Sequence, residues 1–499
     1  MNVLASVYDR TGLAEFLKEI ADCTDEIFAT EGTAAYLGDR GIRCRKLGEI
    51  TGFNEMFGGR VKSLHPAVYA GILNPMDSPD DLMKKNGLVN FDLVISNLYP
   101  FREASSTGDL GRIIENIDIG GVSLTRAAAK NFQRVSVLTD PVDYLKVAGE
   151  IRENGSVSDE TRRYLAVKAF SITAEYDSMI YNTLSGTLGV DLGNFISVAY
   201  RTGKKLRYGE NPDQEGYVFP DGSEIGIPGA FQLSGKEMSY NNVMDASAAM
   251  DTAYEYEMPS CVIVKHNVPC GTGSDEALST AFEKAWNSDR ESAYGGVVCF
   301  NRTVDAETAG KISDLFLEVV CAPGFSTDAF NLLRKKKNLR LLRIRYAKDS
   351  KLRLRSVTGG ILAQSPLSSV FSEIKCVTVA QASEADMKDL MFAWRTAAHC
   401  KSNAIVLAKN LATVGIGSGQ TSRIESLRIA ARRAGDRSKG SVLASDGFFP
   451  FADNVEMAHE IGVTSIIQPG GSIRDNDSIE AANRYGISMY FTGKRTFLH

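Results

Sequence analysis

At 499 residues the chain is longer than one ordinary hydrophobic core can organise, so roughly two to four domains are expected. Its 43% hydrophobic and 23% charged residues fit a globular chain, and a formal net charge of -5 lacks the basic excess of a nucleic-acid binder. No apolar run approaches the roughly 18 residues that a membrane helix needs. Met1-Asn2-Val3-Leu4 enters a strand-like run at once, without a charged leader and cleavage site, so a cytoplasmic protein with neither membrane nor nucleic-acid partners is expected. The eight cysteines form no C-x-x-C pair; they read as reduced, half-buried small hydrophobes, with no metal site implied.

In chain order, the first 150 residues alternate strand and helix. Residues 3–7, 27–29, 93–96 and 135–138 read as strands, residues 13–21 as a helix, and Asp140-Pro141 as a helix start. Strand and helix in alternation predict a doubly wound parallel sheet. Residues 142–185 read as mostly helical, and the polar, glycine-bearing passage 186–204 as a boundary, giving domains 1–195 and 196–499. The second domain mixes strands, helices and Gly-Gly turns, with no evident internal repeat. Its one dense basic run, Arg334-Lys335-Lys336-Lys337, reads as a solvated face.

Three passages in the first half look like anion cradles. Tyr8-Asp9-Arg10-Thr11-Gly12 follows the first strand, Thr30-Glu31-Gly32-Thr33 the second, and Arg60-Val61-Lys62-Ser63 lies in a Gly-Gly loop ending at His65-Pro66. Peptide N–H groups at strand-to-helix junctions favour phosphate, and Arg and Thr side chains add donors. Asn97-Leu98-Tyr99-Pro100-Phe101 ends another strand, which brings Tyr99 to the same rim or leaves it packed on Pro100. Asp118-Ile119-Gly120-Gly121 precedes a helix over residues 123–130; Asp118 is either a site carboxylate or a helix-start residue, and Lys130 either a site cation or a solvated lysine. Lys62, Tyr99, Asp118 and Lys130 together suit a dehydrative ring closure, which needs a base for an amide-type nitrogen and donors for the departing oxygen.

The second half opens with Leu206-Arg207-Tyr208-Gly209-Glu210-Asn211-Pro212, where Arg207 can fork onto phosphate and Tyr208 can stack on a flat ring. A buried strand over 261–264 then runs into Lys265-His266-Asn267-Val268-Pro269, with Pro269 and Gly271 expected to turn the chain. In a chain of five histidines this pair is either an acid–base device at a sheet rim or a charged surface turn. Gly295 and Glu318 border further strands. Lys401-Ser402-Asn403 leads into a hairpin over 404–416, and Gly417-Ser418-Gly419-Gln420-Thr421-Ser422-Arg423 opens a helix from Ile424 to Ala434 that Gly435 ends. Ser445-Asp446-Gly447-Phe448-Phe449-Pro450-Phe451, with Asp453 beyond it, Gln468–Ser472 and Lys494-Arg495-Thr496-Phe497 put Phe and Arg around glycine turns. That combination suits a planar heteroaromatic with an acidic tail, though Phe449 or Phe451 taken singly reads as core.

In this order and spacing the passages resemble one family over residues 6 to 497: the bifunctional purine-biosynthesis enzymes that join AICAR (phosphoribosylaminoimidazolecarboxamide) formyltransferase to IMP cyclohydrolase. The resemblance implies a methylglyoxal-synthase-like N-terminal domain that closes formyl-AICAR to IMP, with Lys62, Tyr99, Asp118 and Lys130 at catalytic positions. Tyr8, Asp9, Arg10, Thr30, Gly32, Thr33, Arg60, Ser63, Asn97 and Ile119 then fall on nucleotide-binding positions. It implies a C-terminal domain of two cytidine-deaminase-like units that transfers formyl from 10-formyltetrahydrofolate, with His266 as proton acceptor supported by Lys265 and Asn403. Arg207, Tyr208, Gly295, Glu318 and Arg423 match AICAR-contacting positions, and Ile424, Phe448, Asp453, Ser472 and Arg495 folate-side ones. A homodimer is implied, with no catalytic metal. Three positions depart from the family pattern: Asp213 replaces a histidine, Arg10 replaces a lysine and keeps its charge, and Glu31 replaces a phosphate-loop glycine, where a carboxylate repels phosphate unless it points away. The alternative is therefore a formyltransferase whose cyclohydrolase half is weak. A zinc deaminase would need H-x-E and P-C-x-x-C, neither of which occurs, and a nucleotide sensor would not need these acid–base groups.

Overall fold

Strands in the first part of the chain are short and apolar on both faces, as a sheet covered by helices on each side requires. The computed structural model describes residues 1–53, 56–57, 60–61, 63–76, 83, 85–190, 192–348 and 352–499. It divides them into two units, Met1–Arg201 and Thr202–His499. The expected break after residue 195 is displaced because residues 195–201 bond back onto the last helix of unit 1. Asn182 Nδ2 donates to the Ser197 carbonyl at 2.9 Å, Tyr181 donates to that of Phe195 at 3.2 Å, and Arg201 pairs with Glu175.

Unit 1 runs β1 (Asn2–Ser6), α1 (Leu13–Glu19), β2 (Glu26–Ala29), α2 (Glu31–Gly38), β3 (Arg45–Lys46), α3 (Pro66–Leu73), β4 (Leu93–Ser96), α4 (Gly120–Lys130), β5 (Ser136–Leu138), α5 (Tyr144–Asn154) and α6 (Asp159–Leu188), with short helical turns between. Its five strands are all parallel in the order β3-β2-β1-β4-β5, the doubly wound arrangement expected. Leu4, Phe28, Val94 and Val137 form the centre of its core, sealed by Leu17, Leu124 and Ile151 from the helices. The order reverses between β1 and β4, and the crevice beyond the carboxyl ends of these strands is where such sheets take ligands.

After a small antiparallel pair, Lys204–Lys205 with Tyr217–Val218, unit 2 runs β6 (Phe231–Ser234), α7 (Tyr240–Ala253), β7 (Ser260–Lys265), β8 (Val268–Ser274), α8 (Leu278–Ser288), β9 (Val297–Phe300), α9 (Ala306–Ser313), β10 (Val319–Ala322), α10 (Thr327–Leu333) and β11 (Arg340–Arg343). An exposed hairpin of β12 (Arg353–Val357) and β13 (Gly360–Gln364) follows. The chain then runs through β14 (Lys375–Cys376), α11 (Glu384–Ala398), β15 (Ile405–Lys409), β16 (Ala412–Gly417), α12 (Arg423–Ala434), β17 (Val442–Ser445), α13 (Asp453–Glu460), β18 (Ser465–Gln468), α14 (Asp475–Tyr485) and β19 (Ser488–Phe491). One twelve-stranded sheet joins them in the order β14-β19-β18-β17-β15-β16-β8-β7-β9-β10-β11-β6.

That order holds a repeat the residue pattern conceals. Each half has an edge strand, a helix, an antiparallel hairpin, and three more strands separated by helices, with the edge strand antiparallel to the last. The halves meet where β8 pairs antiparallel with β16, Gly273 opposite Ala412. Apolar spacing does not reveal it, because both halves contain ordinary buried strands; the shared features are single polar and glycine positions.

One local expectation is corrected. Pro269 and Gly271 do not turn the chain; both lie within β8, which carries an irregularity between them. The turn is His266-Asn267, both in the left-handed region at φ 52° and 63°. Gly271 is required for another reason: a Cβ there would stand 2.0 Å from the Ala285 carbonyl of α8.

Candidate active sites

In unit 1, Asn97 ties the loops after β1 and β4 together. Its Oδ1 accepts the peptide N–H groups of Tyr8 and Asp9 at 2.7 and 3.0 Å, and its Nδ2 donates to the Asp9 carbonyl at 2.7 Å. Tyr8 and Tyr99 meet edge to face at 5.5 Å, both on this rim. Asp9 is engaged by its own turn: Thr11 donates a hydroxyl at 2.7 Å and a peptide N–H at 2.9 Å, which hold the carboxyl below its ordinary range. The second cradle is built on Thr33, whose hydroxyl oxygen accepts the Val7 N–H at 3.2 Å and lies 3.3 Å from that of Thr30. A Cβ on Gly32 would touch the Arg10 guanidinium at 3.4 Å, which puts that charge over the start of α2. Glu31 points to Lys46, 3.9 Å away.

The third and fourth loops converge at the start of α4. Ser63 is buried, and a Cβ on Gly120 would stand 2.9 Å from its hydroxyl. Asp118 is buried and caps α4, accepting the Gly121 N–H at 2.7 Å. Ile119 beside it is 57% exposed, an apolar surface at the mouth of the crevice. Arg60 is exposed and paired with Glu115. Lys62 lies outside the described residues. Lys130 is exposed at the last residue of the 11-residue α4, roughly 15 Å of helix from its first residue, Gly120.

Sequence reasoning missed Tyr176. Its hydroxyl oxygen accepts the Asp118 N–H at 2.8 Å, and its proton goes to the Asn116 carbonyl at 2.9 Å. Its ring packs edge to face on Phe101, two residues past Tyr99. Burial pushes the phenol up to about 12, so it stays protonated. Only the length of α6 hinted at such a residue.

In unit 2 the strand directions place the expected residues on one rim. β7 ends there at Lys265; β9, β10 and β11 start there beside Gly295, Glu318 and Arg340; β15 starts there after Asn403; β16 to β19 end there before Arg423, Phe448, Ser472 and Arg495. Around His266, α7 supplies two anchors. Asn242 Nδ2 donates to Glu318 Oε2 at 2.7 Å, and Asp245 Oδ1 accepts the Asn267 N–H at 2.6 Å. Lys265 Nζ donates to the carbonyls of Tyr294 and Gly295 at 3.1 and 3.0 Å. Arg207 donates to the Tyr208 hydroxyl at 2.7 Å, and their loop is held by Asn241 Nδ2 on the Glu210 carbonyl at 3.1 Å. Burial lowers the Arg340 guanidinium from its ordinary range, Glu318 opposes that, and Arg207 adds to it, so all three share one neighbourhood. Asp213 is exposed in a turn closed by Gln214.

Around Asn403 the second group forms. Asn403 donates through Nδ2 to the Gln420 carbonyl at 2.8 Å. Asp446, fully buried, accepts from Ser402 Oγ at 2.5 Å and from Arg423 at 2.9 Å. Arg423 also donates to the Phe448 carbonyl at 3.1 Å and lies 5.9 Å from the Phe497 ring, on which Arg495 sits at 4.5 Å. The guanidinium expected to face substrate is thus largely a buried partner of Asp446. Phe448 is 37% exposed, whereas Ile424 packs against the core. Asp453 begins α13 and bonds Asn454; the Ser472 hydroxyl oxygen accepts the Arg474 N–H at 3.1 Å. The role of Asp446 was hidden because its motif reads as a turn.

A doubly wound cradle for phosphate and a duplicated mixed sheet with imidazole, guanidinium and aromatic groups on one rim define a two-part α/β enzyme for phosphorylated, ring-bearing small molecules. Comparison gives the particulars. The AICARFT/IMPCHase bienzyme model matches residues 128–433, and an MGS-like domain model matches residues 12–123. Curated relatives called bifunctional purine biosynthesis protein PurH are 46% identical in Persephonella marina, 44% in Ruminiclostridium cellulolyticum and 45% in Bacillus cereus, each alignment covering 99% of both chains. The chain belongs to the AICARFT/IMPCHase bienzyme family: it is a bifunctional enzyme of purine biosynthesis, an AICAR formyltransferase and IMP cyclohydrolase.

Proposed function

We propose that unit 2 transfers formyl from 10-formyltetrahydrofolate to the AICAR amine, and that unit 1 closes the formyl-AICAR so made to IMP. The AICAR amine is a weak nucleophile, its lone pair delocalised into the imidazole and carboxamide. His266 takes its proton as the nitrogen attacks the formyl carbon. The tetrahedral adduct collapses, expelling the folate N10, which leaves protonated as tetrahydrofolate. Lys265 fixes the Gly295 loop and presents positive charge beside the developing oxyanion. Arg207, Tyr208, Gly295 and Glu318 receive AICAR; Asn403 and Arg423 complete that pocket, and Ile424, Phe448, Asp453, Ser472 and Arg495 border the folate. The single observation that carries this reading is the convergence of strand ends from both repeats on one rim, with His266 at its tip.

His266 and Asn403 share that rim but stand three strand spacings apart, roughly 14 Å, in one chain. This separation supports a homodimer in which each site draws on both copies. In unit 1, Tyr99 and Asp118 act on the formyl-AICAR carboxamide, whose nitrogen attacks the formyl carbonyl before water leaves. Tyr8, Asp9, Arg10, Thr30, Gly32, Thr33, Arg60, Ser63, Asn97 and Ile119 hold the nucleotide. Lys62 and Lys130 enter this set on their sequence positions alone. The reactions are taken as cytoplasmic, with no catalytic metal.

Purified protein given AICAR and 10-formyltetrahydrofolate, with tetrahydrofolate and IMP followed separately, tests both halves. Both products are expected. Tetrahydrofolate without IMP would overturn the assignment of unit 1, and neither product the whole reading. His266→Ala is expected to abolish tetrahydrofolate release while still closing supplied formyl-AICAR.

A further inference from the structure

The repeat in unit 2 supplies a comparison within one molecule. The β7–β8 hairpin turns through His266 and Asn267 at φ 52° and 63°, and the β15–β16 hairpin through Asn410 and Leu411 at φ 56° and 55°. Left-handed conformation in two successive non-glycine residues is disfavoured, so something outside the turn must hold it. In both halves that something is the sixth residue of the preceding helix. Asp245 of α7 accepts the Asn267 N–H at 2.6 Å; Asp389 of α11 accepts the N–H groups of Asn410 and Leu411 at 2.8 and 2.7 Å.

The lysine before each turn repeats too. Lys265 donates to the carbonyls of Tyr294 and Gly295, and Lys409 to that of Lys439 at 2.9 Å, each beside a glycine in the left-handed region, Gly295 at φ 67° and Gly440 at φ 69°. The Gly295 N–H donates to Phe316 at 2.8 Å and the Gly440 N–H to Gly462 at 2.7 Å. The frame of aspartate, turn, lysine and glycine is therefore common to both halves. Only the first carries an imidazole, and the two turns lie on opposite rims because β7 and β15 run oppositely.

We propose that Asp245 is a positioning residue for formyl transfer: its carboxylate clamps the left-handed turn and so aims the His266 imidazole at the AICAR amine. The inference rests on the reading of His266 as the base. Two features suit the carboxylate to this work. It is half-buried, which screens its oxygen from part of the water, and it lies close enough to feel both His266 and Lys265. Losing the clamp frees the turn to relax, and a misplacement of about 1 Å at a reacting group costs on the order of 100-fold in rate.

The test compares five variants of the full chain by formyl transfer kcat and by KM for AICAR. Formyl-AICAR closure by unit 1 and the thermal midpoint serve as folding controls. Asp245→Ala is expected to lower kcat by about 10- to 100-fold with KM within about threefold of the parent. Asp245→Asn, which keeps the acceptor oxygen in place, is expected to restore most of it. Asp389→Ala removes the same clamp from the turn without an imidazole; its midpoint is expected to fall comparably, with kcat within about threefold. An unchanged kcat in Asp245→Ala overturns the inference, and so does an equal kcat loss in Asp389→Ala. Should Asp245→Ala fail to fold, Asp245→Glu decides: it moves the acceptor by one methylene, and parental kcat there overturns the role. His266→Ala run alongside separates the two layers. Full formyl transfer in that variant sinks the reading of the base itself, whereas its loss with a normal Asp245→Ala sinks only the clamp.

Discussion

Glu31 begins α2 where a phosphate would approach, yet its carboxylate lies 3.9 Å from Lys46 Nζ and is half exposed. An exposed pair of this kind is worth about 0.2–1 kcal/mol, so the repulsion it removes from the cradle is of similar size. Glu31→Gln is expected to lower the cyclohydrolase KM by less than about fivefold, and Lys46→Ala to raise it within the same limit. Both effects should shrink in high salt, as steady-state kinetics at two ionic strengths would reveal. Arg423 is the opposite case, with a buried guanidinium on a fully buried carboxylate. Arg423→Ala leaves Asp446 uncompensated and is expected to cost about 3–5 kcal/mol in urea unfolding, with Arg423→Met and Asp446→Asn together recovering part of it. Sequence could name Arg423 as a site residue but not see that Asp446 occupies it, because no local pattern couples positions 23 apart.

Helix α6 shows how an element far from the chemistry serves it. Tyr176 braces the Asp118 loop by hydrogen bonds and the Tyr99 loop by its contact with Phe101. Tyr176→Phe removes two hydrogen bonds worth about 0.5–1.5 kcal/mol each, so cyclohydrolase kcat is expected to fall roughly 5- to 100-fold. Formyl transfer by the same preparation should be unchanged, which an assay of both activities checks. Strands such as Leu93–Ser96 were legible to the residue because apolar runs bounded by turn formers are a local signal. The helix from Arg423 with its Gly435 end was equally plain. What failed was direction. Asp118 and Lys130 look like neighbours in sequence, and a helix of 11 residues carries them to its opposite ends. Pro269 and Gly271 suggested a turn, but the turn was set by Asp245, twenty-two positions before Asn267.

Across unit 2 the halves are joined away from the rim as well as at the seam. Glu255, just past α7, accepts from Ser369 at 2.5 Å and meets His399, just past α11, at 3.1 Å. Burial alone would raise its carboxyl, but the bonds from His399 and Ser369 outweigh it and hold the group below its ordinary value. A carboxyl depressed in the folded state is more protonated when unfolded, so stability rises with pH across that window. The contribution is complete above about pH 4.5 and is lost as pH falls through the folded value. The urea midpoint is therefore expected to drop below about pH 4.5, and to drop less in Glu255→Gln, in unfolding followed across acid pH. The fold class of both units was legible, since strand and helix alternate throughout. The duplication was legible only through the family resemblance, which implied two like units, because it is written in element order and a handful of polar positions.

The opposed facing of the two hairpins has a consequence for how this chain can drift. Every group proposed for formyl transfer sits on one edge of the sheet, while the Asn410 turn sits on the other with its aspartate, lysine and glycine intact. Substitutions at the first edge answer to chemistry and folding together, and those at the second to folding alone. An imidazole installed at Asn410 would find the same backbone yet none of the guanidinium and aromatic neighbours of His266. The duplicated turn is thus a socket kept in working shape without an appliance, and it is the place where this scaffold can accept a new one away from the old.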